Sequence, residues 1–312
     1  EKKIMLNSNI NKIKTFKPSF STNDRTRSFL KVQDGCDYHC TFCTIPKARG
    51  PSRSYTIQET IQVAKQLAHN GTKEIVLTGV NIGDFGSGSN ESFYDLIVNL
   101  DKIKGINRFR ISSIEPNLLS DEIIDFCAKS EKFMPHFHIP LQSGSNKVLR
   151  SMGRRYDKIQ FSNRIKMIKA IIPDACIGVD VIVGFPSETE EDFMETFYLL
   201  DQLDISYLHV FTYSERENTK ALNINPVVPI HRRLSRSKKL HKLSAKKRKL
   251  FYDNFIGEKK YALFESFKNG KLVGHTDNYI KIHANGDTSL INTIQKVNIL
   301  NREEEYMIGH IN

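Results

Sequence analysis

Short runs of branched apolar residues alternate with longer segments of helical periodicity along most of this chain. Each run has the length of a buried strand, and the segments between the runs repeat their apolar residues at the spacing of an amphipathic helix. Strands that alternate with helices pair in parallel, so the pattern predicts an α/β fold, either an open doubly wound sheet or an incomplete barrel. The six predicted strands cover residues 29–33, 74–78, 108–112, 136–140, 176–183 and 207–211.

Two helix starts are marked by capping signals. Thr56 is followed three residues later by Glu59, and Gly71 is suited to the left-handed conformation at a helix end. Ser187 and Glu190 have the same spacing and predict a second helix start. Both signals stand next to predicted strands, as the alternating fold requires.

The chain divides into four parts by composition. The first is polar, lysine-rich and without periodicity, which predicts a linker that follows a domain absent from this sequence. The last consists of short alternating stretches broken by Asn-Gly pairs at 269–270 and 285–286, and Asn-Gly is the typical turn of a β-hairpin. The predicted parts are a linker at 1–25, an α/β domain at 26–230, a basic connecting helix at 231–256 and a small all-β domain at 257–312.

The positive charge of the chain is concentrated in one segment. Lysine and arginine exceed aspartate and glutamate by 11, and residues 231–250 alone hold ten basic side chains and no acid. Leu240, Leu243 and Leu250 predict a helix with one buried stripe and a cationic outer face. A solvated connector would have such a face too, but ten like charges repel one another and a nearby polyanion relieves that cost. We therefore expect RNA contacts from Arg232, Arg233, Lys238, Lys239, Lys242, Lys246, Lys247 and Arg248.

The sequence contains neither a membrane span nor an export signal. No run approaches the roughly 18 consecutive apolar residues that a spanning helix needs. No charged and apolar leader precedes a cleavage site of small residues. We therefore expect a cytoplasmic protein without a membrane partner.

Three of the five cysteines, Cys36, Cys40 and Cys43, lie within eight residues, directly after the first predicted strand. In a reducing compartment such a cluster holds metal more often than it forms disulfides. Three thiolates at these spacings can bind three corners of a [4Fe–4S] cluster and leave the fourth iron open. The alternative is a zinc site with His39 as the fourth ligand. The other two cysteines are predicted to be small core residues, Cys127 and Cys176.

The cysteine segment resembles the radical S-adenosylmethionine superfamily, because Cys-x3-Cys-x2-Cys has an aromatic residue before its last cysteine and opens an alternating β/α chain. The resemblance implies a [4Fe–4S] cluster whose open iron binds S-adenosylmethionine, which is cleaved to a 5′-deoxyadenosyl radical. Tyr38 and Phe42 are then expected to line the cofactor. The implied fold is an incomplete, TIM-like (β/α)6 barrel.

Longer motifs are similar to the methylthiotransferase family of that superfamily. They are RSFLKVQDGC at 27–36, CTIPKARG at 43–50, LTGVN at 77–81, SSIEP at 112–116, HIPLQSGS at 138–145 and DVIVGFPSE at 180–188.

Four polar residues of these motifs belong to the ends of predicted strands, namely Asn81, Glu115, Gln142 and Asp180. The carboxyl ends of parallel strands are where such folds bind ligands, so we expect these residues to contact S-adenosylmethionine or the target base. The alternative is structural: Asn81 and Glu115 shape turns, and Asp180 is a satisfied strand-end carboxylate.

Residues 144–156 and 208–221 most resemble the branch of the family that acts on tRNA. That resemblance implies transfer of a methylthio group to C2 of N6-threonylcarbamoyladenosine, the base next to the anticodon. The terminal β domain is similar in position and size to the OB-like TRAM domain of the family, which implies that it binds RNA. The residues expected there are Lys259, Lys260, Lys268, Lys271 and Lys281 on phosphates, with Tyr279 or Phe267 for base stacking.

The resemblance also implies a domain that nothing in this sequence matches, and a partner protein. Full-length members carry an N-terminal domain whose three cysteines hold a second [4Fe–4S] cluster that supplies sulfur. An electron donor protein of the flavodoxin or ferredoxin type is an expected partner.

Three alternative functions stay open at this point. One is a relative that modifies an aspartate of a ribosomal protein, although the basic helix and Arg216 weigh against it. Another is a relative that acts on isopentenylated adenosine. The third is a non-catalytic RNA-binding protein with a structural metal.

Overall fold

The computed structural model describes residues 26–312, together with Ile10, Phe16, Ser19 and Phe20. Apart from those four positions, the predicted linker at 1–25 lies outside the described residues. The strand predictions are confirmed, with ends that differ by at most two residues. The strands before residue 215 are β1 (Arg27–Lys31), β2 (Gln33–Asp34), β3 (Arg53–Ser54), β4 (Glu74–Thr78), β5 (Arg108–Ile111), β6 (His136–Gln142), β7 (Cys176–Val183) and β8 (Tyr207–Thr212).

Six of these strands run parallel in the order β1-β4-β5-β6-β7-β8. The connection between β5 and β6 consists of isolated bridges, so the sheet has two three-stranded halves. β2 and β3 form a separate antiparallel pair beside β1. The two bridges between the halves are Phe109–Phe133 and Ser113–His138.

The two halves of the sheet curve around a common interior. The ring of Tyr279, from the far end of the chain, lies under the guanidinium groups of Arg27 on β1 and Arg110 on β5. The same ring stacks on His136 of β6 at a centroid distance of 4.1 Å. Tyr279 thus contacts both halves. The core residues of all six strands lie on the one face that the helices cover, whereas a doubly wound sheet has helices on both faces. The arrangement is therefore a curved sheet that is not closed between β1 and β8 within the described residues.

The main core lies between the convex face of the sheet and the helices that connect the strands. Strand residues such as Ile75, Leu77 and Val179 are fully buried there, together with Leu67 and Phe193 from the helices. The helices are α1 (Ile45–Arg49), α2 (Ile57–His69), α3 (Phe93–Asp101), α4 (Asp121–Lys129), α5 (Asn146–Met152), α6 (Lys158–Ile171) and α7 (Glu190–Gln202).

One of the two predicted helix starts is confirmed and the other is displaced. Thr56 and Glu59 form the capping box of α2. The prediction of a cap at Ser187 is wrong, because α7 is capped two residues later by Thr189 with Asp192. Ser187 has a φ of 66°, a left-handed turn conformation rather than the extended one of an N-cap.

The prediction of a small C-terminal β domain is confirmed in its secondary structure. The last five strands form a closed barrel in which β11 and β13 are parallel and the other neighbours are antiparallel. The Asn269-Gly270 hairpin turn is present between β9 and β10. The hairpin predicted at Asn285-Gly286 is wrong, because β11 pairs with β10 and β13 instead of β12. The strands are β9 (Lys259–Lys268), β10 (Lys271–Thr276), β11 (Lys281–Ala284), β12 (Ile294–Arg302) and β13 (Met307–Ile311).

The basic segment forms one long helix, α8 (Ile230–Asp253), as predicted. It packs along β8, and Leu240 and Leu243 are buried in the main core, so α8 is an integral layer of the α/β domain rather than a free connector. Leu250, predicted to be buried with them, is 52% exposed. No described helix is both long and apolar enough to span a bilayer.

Candidate active site

The cysteine loop follows β2 at the carboxyl edge of the curved sheet, and its three sulfurs accept hydrogen bonds. The N–H of Tyr38 lies 3.3 Å from Cys36 Sγ, and that of Ile45 lies 3.4 Å from Cys43 Sγ. The guanidinium of Arg154 donates to Cys40 Sγ at 3.2 Å. N–H groups that point at cysteine sulfurs are a known means of tuning iron–sulfur clusters, so this environment suits thiolate ligands.

The donor set of the loop favours a cluster over a closed zinc site. Among residues 26–312, His138, Asp180 and His209 are the one group of three metal-ligating side chains whose ligand atoms lie within 4.8 Å of one another. The three cysteines therefore do not form such a compact group with a fourth ligand, whereas a structural zinc site needs four protein ligands in a closed tetrahedron. Three thiolates suit three corners of a [4Fe–4S] cluster and leave its fourth iron open.

Without a cation the thiols of Cys36 and Cys40 stay protonated at neutral pH. Burial raises the pKa of Cys36 to about 11, and burial also raises the pKa of Cys40 against the opposing effect of Arg154. Binding of the cluster therefore has to displace protons from these groups, as for any thiolate site.

The two aromatic residues of the loop occupy different environments. Tyr38 is buried; its hydroxyl accepts a hydrogen bond from Asn117 at 2.7 Å, and the Arg155 guanidinium lies 3.9 Å from its ring centre. Phe42 is half-buried and packs edge-on against Phe185, with ring centroids 6.2 Å apart. Both anchor the loop, and their contact with a cofactor stays a prediction.

Asn81 and Gln142 each leave a buried amide oxygen without a hydrogen-bond partner in the described residues. Asn81 Nδ2 donates to Asp84 at 2.6 Å, while its Oδ1 is unpaired. Gln142 has a φ of 64° at the end of β6, and its Oε1 is unpaired. Buried acceptors without donors are costly, so both are suited to receive hydrogen bonds from a ligand.

Gln33 links the cysteine loop to the strand end that holds Asn81, and it was not predicted from the sequence. Its Oε1 accepts from the Asn81 N–H at 2.8 Å, and its Nε2 donates to the Gly35 carbonyl at 2.8 Å. It is fully buried. The available signal was a polar residue beside Asp34, directly before the cysteine loop.

Glu115 is placed by a second residue that was not predicted, Arg154. The guanidinium of Arg154 is 5% exposed and bonds both Glu115 Oε2 and Cys40 Sγ. Burial raises the pKa of Glu115, and Arg154 opposes this shift. Arg154 thus joins one predicted cluster ligand to one predicted cofactor contact. The signal for it was the Arg154-Arg155 pair in the segment used for the family resemblance.

Asp180 lies with two histidines in the interior of the sheet. Its Oδ1 is 2.7 Å from His138 Nε2, and the ring of His209 stacks on that of His138 at a centroid distance of 5.0 Å. One Asp180 oxygen is thus hydrogen-bonded, as the structural alternative of a satisfied strand-end carboxylate predicts. Neither histidine was singled out from the sequence, because each lies between apolar strand residues.

The eight basic residues of α8 that were predicted to contact RNA lie in three different environments. Arg233 and Lys247 are buried; Arg233 bonds Glu215 and two backbone carbonyls, and Lys247 bonds the carbonyls of Asp201 and Leu203. Because both side chains are buried, they are inaccessible to RNA. Their hydrogen-bond partners come from other parts of the fold. Lys239 and Lys246 are exposed and pair with Glu190 and Asp201. The others have no acidic partner among the described residues, namely Arg232, Lys238, Lys242 and Arg248.

The terminal barrel places Tyr279 and Lys260 in internal contacts. Tyr279 stacks between His136 and His275, so its ring is occupied by the domain interface rather than free for a base. Lys260 pairs with Asp174. Phe267 is 40% exposed and stays available.

Comparisons with known proteins agree with this site. The family model described as the Radical SAM superfamily matches residues 30–200. Threonylcarbamoyladenosine tRNA methylthiotransferase MtaB of Bacillus subtilis is 41% identical over 97% of this chain and 69% of its own length. The Aquifex aeolicus protein of the same name is 41% identical over 83% of this chain and 62% of its own length. The tRNA-2-methylthio-N(6)-dimethylallyladenosine synthase of Protochlamydia amoebophila is 33% identical, with coverages of 92% and 65%.

Solved structures with the same fold are more distant in sequence. The coproporphyrinogen III oxidase HemN of Escherichia coli aligns with a TM-score of 0.52 at 15% identity, over 70% of this chain and 52% of its own. The methyltransferase TsrM of Kitasatospora setae aligns with a TM-score of 0.51 at 15% identity, with coverages of 59% and 36%. Both are radical S-adenosylmethionine enzymes.

The chain spans between about three-fifths and two-thirds of the length of these curated relatives. The superfamily model covers more than half of it, and the matched region includes all three cysteines of the loop. The chain belongs to the radical S-adenosylmethionine superfamily and, within it, to the methylthiotransferases of the MtaB and MiaB type.

Proposed function

We propose that the complete protein transfers a methylthio group to C2 of N6-threonylcarbamoyladenosine in tRNA, beside the anticodon. The observation that carries this proposal is the 41% identity to the B. subtilis MtaB protein along 97% of the chain. The arrangement of the cysteine loop beside unpaired amide oxygens supports the same chemistry.

Different described residues have different roles in the proposed reaction. A bound [4Fe–4S] cluster and S-adenosylmethionine supply the radical that removes hydrogen from an unreactive carbon. Cys36, Cys40 and Cys43 hold that cluster, and Arg154 keeps Cys40 and Glu115 in fixed relation. The residues proposed to receive the polar groups of the cofactor or of the base are Asn81, Glu115, Gln142 and Asp180.

The terminal barrel is proposed to be a TRAM-type, OB-like RNA-binding domain. Its strand order, with β11 beside β13 in parallel, is a Greek-key arrangement of five strands, as in OB-folds. The domain boundaries that we propose are 26–230, 231–256 and 257–312. The positions of α8 and of the terminal barrel support them, although α8 packs as part of the α/β domain. The lysines that we propose for phosphate contacts are Lys259, Lys268, Lys271 and Lys281.

The remaining length of the relatives is proposed to hold the second [4Fe–4S] cluster. An electron donor of the flavodoxin or ferredoxin type is the proposed source of reducing equivalents. A tRNA substrate is consistent with the cytoplasmic location that we propose for the protein.

Nucleoside analysis tests the proposed function directly. In tRNA from cells that lack the full-length gene, we expect loss of the methylthio form of N6-threonylcarbamoyladenosine and accumulation of its unmodified precursor. The measurement is liquid chromatography with mass spectrometry of digested tRNA, and restoration by the intact gene is the control. Loss of a methylthiolated isopentenyladenosine would assign the other tRNA activity. Unchanged tRNA with a loss of methylthioaspartate in a ribosomal protein would contradict a tRNA function.

The exposed face of α8 should carry a large share of RNA affinity. Lys238, Lys242 and Lys249 share one side of the helix, are exposed and have no acidic partner in the described chain. Changing all three to glutamate should weaken binding of a tRNA anticodon stem-loop at least ~10-fold at low salt. The slope of log affinity against log salt should fall by up to about 3, one unit for each phosphate that is no longer neutralised.

The control for this prediction carries the same change in charge elsewhere. Lys65, Lys102 and Lys104 are exposed in and beside α2 and α3. Their triple glutamate variant should keep most of the affinity. Equal losses in both variants would mean that net charge, and not the α8 face, governs binding.

A further inference from the structure

The interior of the curved sheet contains a polar cluster, of which the proposed function has used only Asp180. In β6, β7 and β8, residues of alternate parity face the helices and the interior. Asp180 and His209 are direct neighbours in the register of β7 with β8. His138, Asp180 and His209 lie between residues that pack into the main core, namely Phe137, Ile139, Val179, Val181, Leu208 and Val210.

Two members of the cluster, His138 and His209, line a cavity of about 340 Å³ between the sheet and the terminal barrel. Arg248 of α8 lines the same cavity and has no acidic partner among the described residues; its guanidinium lies 5.9 Å from the ring of Tyr207. The other charged or titratable groups that line the cavity are His136, His275, Lys281 and Glu305. The cavity therefore offers hydrogen-bonding imidazoles and an uncommitted guanidinium, and the Asp180 carboxylate is bonded to the lining residue His138.

The position of this cluster suits contact with the N6 substituent of the target base. C2 and C6 of adenine are both bonded to N1, and their outward bonds diverge, so a base whose C2 faces the cysteine loop directs its N6 substituent obliquely away from that loop. Asp180 lies three residues below the end of β7 at Val183, about 10 Å along the strand. An N6 substituent would thus extend along the interior face toward His138 and His209.

The chemistry of the cluster matches the threonylcarbamoyl group. That substituent has urea N–H groups, a hydroxyl and a carboxylate. Asp180 can accept from N–H groups, and Arg248 can bind a carboxylate through two parallel hydrogen bonds. Burial lowers the pKa of His209, as do the nearby His138 and Arg248, which favours a neutral imidazole that both donates and accepts.

We propose that His138, Asp180, His209 and Arg248 form the pocket that receives the N6-threonylcarbamoyl group of the target adenosine. This inference rests on the proposed function, because it assigns the recognition of that substrate to named residues. The pocket would select bases with a charged, hydrogen-bonding N6 substituent over unmodified adenosine.

The test compares substrates as well as variants of the full-length protein. The quantity measured is the ratio of kcat/KM for tRNA with N6-threonylcarbamoyladenosine to that for the same tRNA with unmodified adenosine. In Arg248→Met and His209→Phe we expect this ratio to fall about 10- to 100-fold, the effect of removing one or two charge-assisted hydrogen bonds. His69→Phe, at an exposed histidine at the end of α2, is the matched control and should keep the wild-type ratio.

A substrate analogue separates specific recognition from a general loss of structure. With a tRNA whose N6 group lacks only the carboxylate, wild-type protein should lose about as much activity as Arg248→Met loses with the natural group. Arg248→Met should not distinguish the two substrates, which is the coupling expected when the two groups contact each other.

Three outcomes have distinct meanings. If the wild-type protein does not prefer the threonylcarbamoylated tRNA, the proposed function itself fails. If it does, and the ratio is unchanged in both pocket variants, the pocket is wrongly assigned. One equivalent of a divalent metal, retained by wild-type protein and lost in His138→Ala, would also overturn the inference, because the ligand atoms of the cluster would then be occupied.

Discussion

Cys40→Ala protein should form no measurable 5′-deoxyadenosine from S-adenosylmethionine, and its iron content should fall by about four atoms per chain. The physical reason is that Cys40 supplies one of the three thiolates of the loop, and the loop holds no fourth cysteine that could replace it. The loss should be essentially complete, because a cluster with two protein thiolates is not retained. The measurements are iron and sulfide analysis after anaerobic purification, and product quantification with a chemical reductant.

Cys127→Ala is the matched control for this experiment. Cys127 is buried in the core of α4, and burial raises the pKa of its thiol to about 12, which makes it an inert core residue. That variant should keep the iron and the cleavage activity with a small loss of stability. The Cys40→Ala protein should also keep its affinity for RNA, because α8 and the terminal barrel lie outside the loop. Cleavage that survives without Cys40, or one zinc and no sulfide in wild-type protein, would refute the cluster assignment.

Arg110→Met should destabilise the protein by about 3–5 kcal/mol, the cost of removing one partner of a buried, hydrogen-bonded ion pair; Glu74 then keeps only the longer contacts to Arg27 and Arg108. Arg110 is 2% exposed and bonds Glu74 at 2.9 Å. Its other nitrogens donate at 2.8 Å to the carbonyls of Thr276 and Asp277 in the terminal barrel. The substitution therefore leaves Glu74 less well compensated and removes two hydrogen bonds between the domains.

Chemical denaturation monitored by circular dichroism measures this effect. Arg302→Met is the control, because Arg302 pairs with Asp253 at 2.6 Å with both side chains partly exposed, and its loss should cost no more than about 1 kcal/mol. A second transition that appears only in Arg110→Met would indicate that the terminal barrel has been released from the sheet. Equal stability of the two variants would show that the interface does not depend on the buried charge.

The prediction of the strands succeeded because the information is local. β4 and β7 have the limits that their branched apolar residues indicated, and the Thr56–Glu59 capping box depends on residues three apart. The cysteine loop was recognised for the same reason, since all three sulfurs come from eight consecutive residues.

The candidate site was only partly predictable, because most of its contacts join distant segments. Arg154 reaches Cys40 across 114 positions, and Asp180 reaches His138 across 42. A histidine between two core residues, such as His138 or His209, is not distinguishable in sequence from an ordinary buried polar residue. Its role depends on which strands become neighbours.

The local pattern of the chain by itself determined the strands, the helices and the three neighbouring sulfurs, because periodicity, caps and short spacings act over a few residues. Tertiary structure alone decided which charges stay free. Arg233 and Lys247 face inward and bond groups from elsewhere in the fold, whereas Lys238 and Lys242 on the same helix face outward. It also decided that Tyr279 stacks on His136 in the domain interface. Burial and ion pairing depend on what packs against a residue, which the sequence near that residue does not contain.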